Sequence, residues 1–449
     1  MLKFLPAAAL ATTVLSSPIL AQETPVSQER LQADVETMVG FGTRHTLSSQ
    51  TDPERGIGAA LAWGRGEFDE ASAACGGCLE TRFIEGTVTG RRIPEPVLIR
   101  NALAIQWGSE RPNEVVIIQG HIDSRGSDVM DAQVEAPGAN DNASGSALVL
   151  EAARVLSERQ FPTTIVYALL SGEEQGLYGG RLLAEYAREQ GWTVKAVLNN
   201  DIVGGSCGSD GVCDAAHVRV FSEGTRADAD DATRARMRSM GGGNDSPSRN
   251  LSRWVDSLAE NGAEELDVRQ VWRSDRMGRG GDHIPFLEAG FPAIRFSVAI
   301  EDYEHQHQDL RVENGVTYGD TADEMDFAYL ASVTRLNIAA ADALARAPMP
   351  PVVQMDGVVR ADVLLEWLPV EGAASYNVWR RATDARDWTL RDTLVSDPGA
   401  DLNSLTLSPD RGDDWIFGVS AVAADGAESP VASAVPGGDF YPLPVDSAE

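Results

Sequence analysis

Val115-Val116-Ile117-Ile118-Gln119-Gly120-His121-Ile122-Asp123 is an apolar, β-branched run that ends on a glycine and then delivers an imidazole and a carboxylate. An apolar run of this length without polar alternation reads as a strand covered on both faces. Runs of the same character fall at 97–105, 163–170, 195–199, 217–221, 268–272 and 293–297, and helical periodicity fills 28–39, 53–70, 144–158, 177–190, 247–261 and 323–345. Strands that alternate with helices give an α/β fold. The expectation is a three-layer α/β/α sandwich around a mostly parallel mixed sheet.

Potential metal ligands recur at the ends of these runs. His121 and Asp123 follow 115–120, Glu173 and Glu174 follow 165–172, Asp201 follows 196–200, and His305 and His307 follow 293–300. Gly138-Ala139-Asn140-Asp141-Asn142-Ala143-Ser144-Gly145 adds Asp141 in a tight loop entering a helix. In an open parallel sheet the carboxyl ends of the strands converge on one crevice, where ligands bind. Each residue alone has a plainer reading: Asp141 as a helix cap, His121 as a hydrogen-bonded core residue, the glutamate pair as a solvated turn. Their joint occurrence at successive strand ends points to a metal site. Zinc accepts imidazole and carboxylate, and a pair of ions needs about five or six such groups with a position left for water. A carboxylate outside the ligand set must then move the proton, and Glu173 and Glu174 can divide these tasks.

The ordered set His121-Ile122-Asp123, Gly138 to Gly145 as quoted, Ser171-Gly172-Glu173-Glu174-Gln175-Gly176-Leu177-Tyr178-Gly179, Asn200-Asp201, and His305 with Asp309 four places on resembles the co-catalytic zinc aminopeptidases of clan MH, which include bacterial leucyl aminopeptidase and glutamate carboxypeptidase II. The resemblance spans residues 28–345. It implies that His121 and Asp201 bind one zinc, Glu174 and His305 the other, and Asp141 both, with Glu173 as general base. It further implies that Asp123 orients His121, that the Asp141-Asn142 peptide is cis, and that His283, in Gly281-Asp282-His283-Ile284-Pro285-Phe286, contacts substrate. His307 is the alternative to His305. Arg44 and His45, in a further matching segment, take a structural role.

The implied activity is removal of N-terminal residues from peptides by a secreted, two-zinc metallo-aminopeptidase. Alternatives within the family are a carboxypeptidase or dipeptidase, for which Arg125, Arg276, Arg279 and Arg295 are available to a free carboxylate, and an inactive binding relative. Cobalt or manganese also suits such ligands.

Composition sets the surroundings. A formal charge of −31 disfavours nucleic acid and anionic membranes. Residues 1–21 have the basic start and apolar run of a signal peptide, and no later run is long enough to span a bilayer, so a periplasmic or secreted chain without membrane insertion is expected. In an oxidising compartment the four cysteines should form local pairs, Cys75 with Cys78 and Cys207 with Cys213. The exopeptidase domain is then 22–346, and a proline-rich linker occupies 347–351. Residues 352–449 hold short strands at 363–367, 374–380, 388–394, 404–407 and 414–422, a small all-β sandwich resembling fibronectin type III.

Overall fold

The computed structural model describes residues 25–262, 266–397 and 399–444; the expected signal peptide lies outside them. In chain order the elements are α1 Gln28–Gly40, α2 Gly56–Ala74, β1 Glu80–Gly90, β2 Ile93–Gln106, β3 Arg111–His121, α3 Ser144–Leu156, β4 Thr163–Leu170, α4 Tyr178–Glu189, β5 Thr193–Asn200, β6 His217–Phe221, α5 Asp231–Met240, α6 Pro247–Asn261, β7 Asp267–Val271, α7 Ile284–Glu288, β8 Ala293–Val298, β9 Arg311–Glu313, β10 Val316–Tyr318 and α8 Phe327–Arg346. Strands β11 Val353–Asp356, β12 Val363–Trp367, β13 Ser375–Ala382, β14 Thr389–Val395, β15 Asn403–Leu407, β16 Trp415–Val422 and β17 Ala432–Ser433 complete it.

The main sheet has eight strands in the order β1-β2-β4-β3-β5-β8-β6-β7. Strands β4, β3, β5 and β8 run parallel, so their carboxyl ends lie side by side on one edge. Alternation along β3 divides the core: Val116 and Ile118 face α1, α2, α3 and α8, whereas Val115 and Ile117 face α4 and α7. Every residue of β4 is buried, as a strand covered on both faces requires. Each fully buried Val, Leu or Ile contributes roughly 1.5–3 kcal/mol, so the two cores hold the sheet edge that carries the site.

Strand β1 was not among the expected strands. It is an outer strand, paired antiparallel with β2 alone, and its mixed burial leaves no apolar run to read. Its turn into β2, Arg91-Arg92, projects toward the parallel strands' carboxyl ends and lines the crevice there. Cysteines pair locally, Cys75 with Cys78 and Cys207 with Cys213, as expected.

After α8 the chain forms two small antiparallel sheets, β11-β12-β15 and β14-β13-β16-β17. They pack through Trp367 and Tyr376, whose rings meet edge to face at 5.5 Å. This unit is seated on α6: Asn250 Nδ2 donates to Ser433 Oγ at 2.8 Å, and buried Arg381 pairs with buried Asp245. The last described segment returns to the first unit, where buried Arg226 donates to the carbonyls of Asp439 and Tyr441 at 2.7 and 2.9 Å.

One close approach sets the height of β3 against α3. A Cβ on Gly120 would lie 2.8 Å from the Gly145 carbonyl carbon and 3.1 Å from the Ser146 nitrogen, both main-chain atoms that cannot turn aside. Gly120→Ala is therefore expected to lower stability by about 1–3 kcal/mol. Gly66→Ala, whose Cβ in α2 meets nothing within 4 Å, should raise it by about 0.5–1 kcal/mol. Denaturant unfolding of both variants checks the pair; equal midpoints would show that the β3–α3 contact is slack.

Candidate metal centre

Strand β3 ends on His121, which is buried at 2% exposure. Its Nδ1–H donates to the main-chain carbonyl of Asp123 at 3.0 Å. That bond selects the tautomer that leaves Nε2 free. Nε2 lies 3.3 Å from Asp141 Oδ1 and 3.8 Å from Asp201 Oδ1. Asp123 thus orients His121 through its carbonyl, its carboxylate Oδ1 being 3.6 Å away. That carboxylate holds the glutamate turn instead, with Oδ2 accepting from Thr46 Oγ1 at 3.0 Å and from the Glu174 amide at 3.2 Å.

The glutamate pair leaves β4 through Gly172 at φ +81°, a conformation suited to glycine. Glu174 turns inward at 4% exposure and Glu173 lines the cavity half-buried. Asp141 sits in an irregular turn before α3, and the Asp141–Asn142 peptide is cis, as the resemblance implied. The turn is pinned from both sides. Asp320 accepts the Asn140 and Asp141 amides at 2.7 and 2.6 Å, and Asn142 Oδ1 accepts those of Gly145 and Ile202 at 3.0 and 3.1 Å. Fully buried Arg44 spans the same region, donating to the carbonyls of Ile122, Pro137, Gly138 and Met38.

The late histidine is the point at which the structure departs from the expectation. His307 Nε2 lies 2.9 Å from Asp141 Oδ2 and 3.2 Å from Glu174 Oε1. His305 instead turns toward Asp302, with Nδ1 2.8 Å from Oδ2, and its Nε2 is 3.7 Å from Glu324. The segment is a tight turn, with the Gln306 amide bonded to Asp302 O at 2.9 Å and His307 at φ +56°, so residues two apart do not share a side as they would in an extended strand. Asp309, whose spacing singled out His305, is used elsewhere and accepts from Ser127. His283 does not line the cavity; it is fully buried and its Nε2–H donates to Ser274 O at 2.7 Å.

Two groups therefore converge: His121, Asp141 and Asp201, and Asp141, Glu174 and His307. Asp141 belongs to both and offers a different oxygen to each imidazole. Their chemistry suits a cation. Buried Glu174 Oε1 meets only His307 Nε2, at 3.2 Å, and has no other hydrogen-bond partner among the described residues. Burial pushes the His307 imidazole down, but Glu174 and Asp141 outweigh it and hold the proton up to about 10. Burial likewise opposes a charged His121, and Asp123, Asp141 and Asp201 carry it well above its usual range. Burial, with help from Glu174, Asp201 and Asp282, lifts the Glu173 carboxyl well above the ordinary value. Protons between the carboxylates stand where a divalent ion would fit.

Several surrounding residues were not legible in the sequence. Asp320 lies in a loop without a motif, and Gln306, whose Nε2 donates to Asp141 Oδ2 at 3.1 Å, stands between the two candidate histidines without having been singled out. Arg295 had been noted as an available arginine; it is fully buried on β8 and pairs with Asp201 at 2.8 Å and Asp275 at 3.0 Å. An arginine inside an otherwise apolar strand was the signal for it.

Residues 101–341 match the sequence model of Peptidase family M28. The chain is 43% identical, over 92% of its length and 83% of the relative's, to a protein of Pyricularia oryzae named probable zinc metalloprotease. A similarly named protein of Leptosphaeria maculans is 41% identical over 93% of this chain and 97% of its own. Among solved structures, LapB of Legionella pneumophila is similar with a TM-score of 0.52 at 19% identity, covering 70% of this chain and 71% of that one. The LapA aminopeptidase of the same organism gives 0.51 at 19%, covering 71% and 72%. At such identities the structural likeness speaks for a shared fold.

Asp320→Ala would leave the buried Asp141 amide and the part-buried Asn140 amide without acceptors. The expected outcome is a loss of about 2–4 kcal/mol together with weaker metal retention, read by denaturant unfolding and by metal analysis after dialysis. Unchanged stability and metal content would mean the turn holds itself.

Proposed function

The chain belongs to peptidase family M28, and from that premise we propose that it is a zinc exopeptidase that removes N-terminal residues from peptides with two ions at the groups sharing Asp141. The observation that carries this reading is the division of Asp141, with Oδ1 3.3 Å from His121 Nε2 and Oδ2 2.9 Å from His307 Nε2. His121, Asp141 and Asp201 would hold one ion, and Asp141, Glu174 and His307 the other. Zinc bound there supplies Lewis-acid activation of the scissile carbonyl and of a water.

The protein's own groups supply the rest. Glu173 belongs to neither ligand group, faces the cavity, and is the carboxylate left to take a proton from the attacking water and return it to the leaving amine. The Asp123 carbonyl keeps His121 in the tautomer that ligates through Nε2. A full set of ligands and a base speaks against an inactive binding relative. A carboxypeptidase or dipeptidase is the second reading, favoured by Arg125, Arg276 and Arg279 on the cavity wall.

We assign residues 22–346 to the peptidase unit and 352–449 to an appended fibronectin type III-like sandwich, with 347–351 between. Export to the periplasm or medium after cleavage of residues 1–21 fits the two disulfides. No helix among the described residues is long and apolar enough to cross a membrane.

Two measurements test this reading. The metal-loaded protein should hydrolyse leucine p-nitroanilide and spare an N-terminally blocked peptide ending in glutamate, and exhaustive chelation should abolish that hydrolysis and lower the melting temperature, since the ions stabilise the folded state by mass action; activity surviving metal removal would end it. In metal analysis Glu173→Gln should keep both zincs and lose about a hundredfold or more in kcat, whereas Glu174→Gln and His307→Ala should each lose occupancy of one site and His305→Ala should retain both. A zinc lost from Glu173→Gln would make that residue a ligand.

A further inference from the structure

A cavity of about 330 Å³ opens where α6 meets the appended sheets, and it shares no lining residue with the cavity at the metal centre. Its size falls among small-molecule sites, roughly 300–1,000 Å³. Three half-buried indoles line it: Trp254 from α6, Trp379 from β13 and Trp388 from the loop before β14. Each has already committed its only donor. Trp379 Nε1–H donates to Ser420 Oγ at 2.8 Å, Trp254 Nε1–H to the Glu428 carbonyl at 3.2 Å and Trp388 Nε1–H to Asn250 Oδ1 at 3.3 Å. What the rings leave for an occupant is carbon surface, fixed in place.

The polar groups are of two kinds. Arg253, 5% exposed, is the one cation on the wall among the described residues. Its Nη1 donates to Asn250 Oδ1 at 2.8 Å, but Nε and Nη2 have no acceptor among the described residues, a condition in which buried donors are seldom left. Asp245 does not relieve it, lying 3.8 Å from Nη1 and already paired with Arg381. The guanidinium is held, its carbon 5.6 Å from the centre of the Trp272 ring. Burial and neighbouring Arg381 pull it below its ordinary range, to about 9. Four carboxylates, Asp256, Glu260, Asp387 and Glu428, also line the cavity, so an anion drawn to Arg253 would meet like charges.

An occupant must therefore offer acceptors to the guanidinium, donors to the carboxylates and an apolar face to the indoles, without net charge. We propose that the cavity binds a hexose ring of a neutral oligosaccharide, a carbohydrate site built jointly by α6 and the appended sheets and separate from the metal centre. A hydroxyl both donates and accepts. A hexose carries hydroxyls around its rim and C–H groups on its faces, and these suit the electron-rich face of an indole. A proline-rich peptide also seeks aromatic walls, but its prolines bring no donor to the carboxylates, and no indole N–H is left for its carbonyls.

The test is calorimetric titration of the metal-loaded, full-length protein with cellohexaose, chitohexaose and mannohexaose. At least one should bind saturably, and Trp379→Ala, Trp388→Ala and Arg253→Lys should each weaken its Kd by about tenfold or more. Trp388→Phe keeps an aromatic face and should recover most of the affinity. Trp107→Ala, which removes an exposed indole outside the cavity, should bind as the unaltered protein does. Unfolding midpoints identify a variant that has lost its fold; if Trp379→Ala or Arg253→Lys has, the contrast between Trp388→Ala and Trp388→Phe carries the result. Absence of binding by all three sugars overturns the proposal, as does binding that Trp388→Ala leaves unchanged. A sugar that competes with leucine p-nitroanilide sits in the metal cavity and overturns it too, and so does a proline-rich decapeptide that binds more tightly than every sugar.

Discussion

Four carboxylates, Asp141, Glu173, Glu174 and Asp201, meet at one sheet edge, and like charges withdrawn from water repel strongly unless cations stand between them. The fold is arranged around that constraint. His121 and His307 lie between the carboxylates, Arg295 backs Asp201, and Arg125 backs Glu174. None of these cations comes from the same element as the carboxylate it faces, so the site exists only when β3, β4, β5 and β8 are side by side. Two apolar cores on opposite faces of the sheet supply the adhesion that holds these charges together.

Much of this was legible in the sequence because the relevant physics is local. Buried parallel strands are short continuous apolar runs, and β4 and β6 have the expected bounds. A residue just after such a run must lie at the sheet's edge, which made His121, Glu173, Glu174 and Asp201 readable without coordinates. What escaped depends on non-local geometry. Strand β1 has water on much of its surface and carries no apolar run. Asp320 acts through main-chain amides some 180 residues away, a relation that no spacing encodes. The choice between His305 and His307 turned on the backbone of a single tight turn: an extended segment would have given both rings one side, whereas the turn sends them to different neighbours.

The appended sheets extend this interdependence. Their core is continuous with that of the main unit, and α6 touches both. Here Arg381 and Asp245 are buried across the junction and pair there, and such a pair is costly to leave with one member missing.

The return of the last described segment to Arg226 has a consequence for how the chain acquires its structure. The carbonyls of Asp439 and Tyr441 are contacts over sequence separations of 213 and 215 residues. Closing loops of that length must precede any reward from the contacts they allow. The guanidinium of Arg226 is almost wholly enclosed, its side chain 1% exposed. A chain still emerging from synthesis can form the β3–β4 neighbourhood early, but this arginine lacks two of its acceptors until residues 439 and 441 have been made. The segment around Asp439 and Tyr441 thus acts as a clasp in time as well as in space.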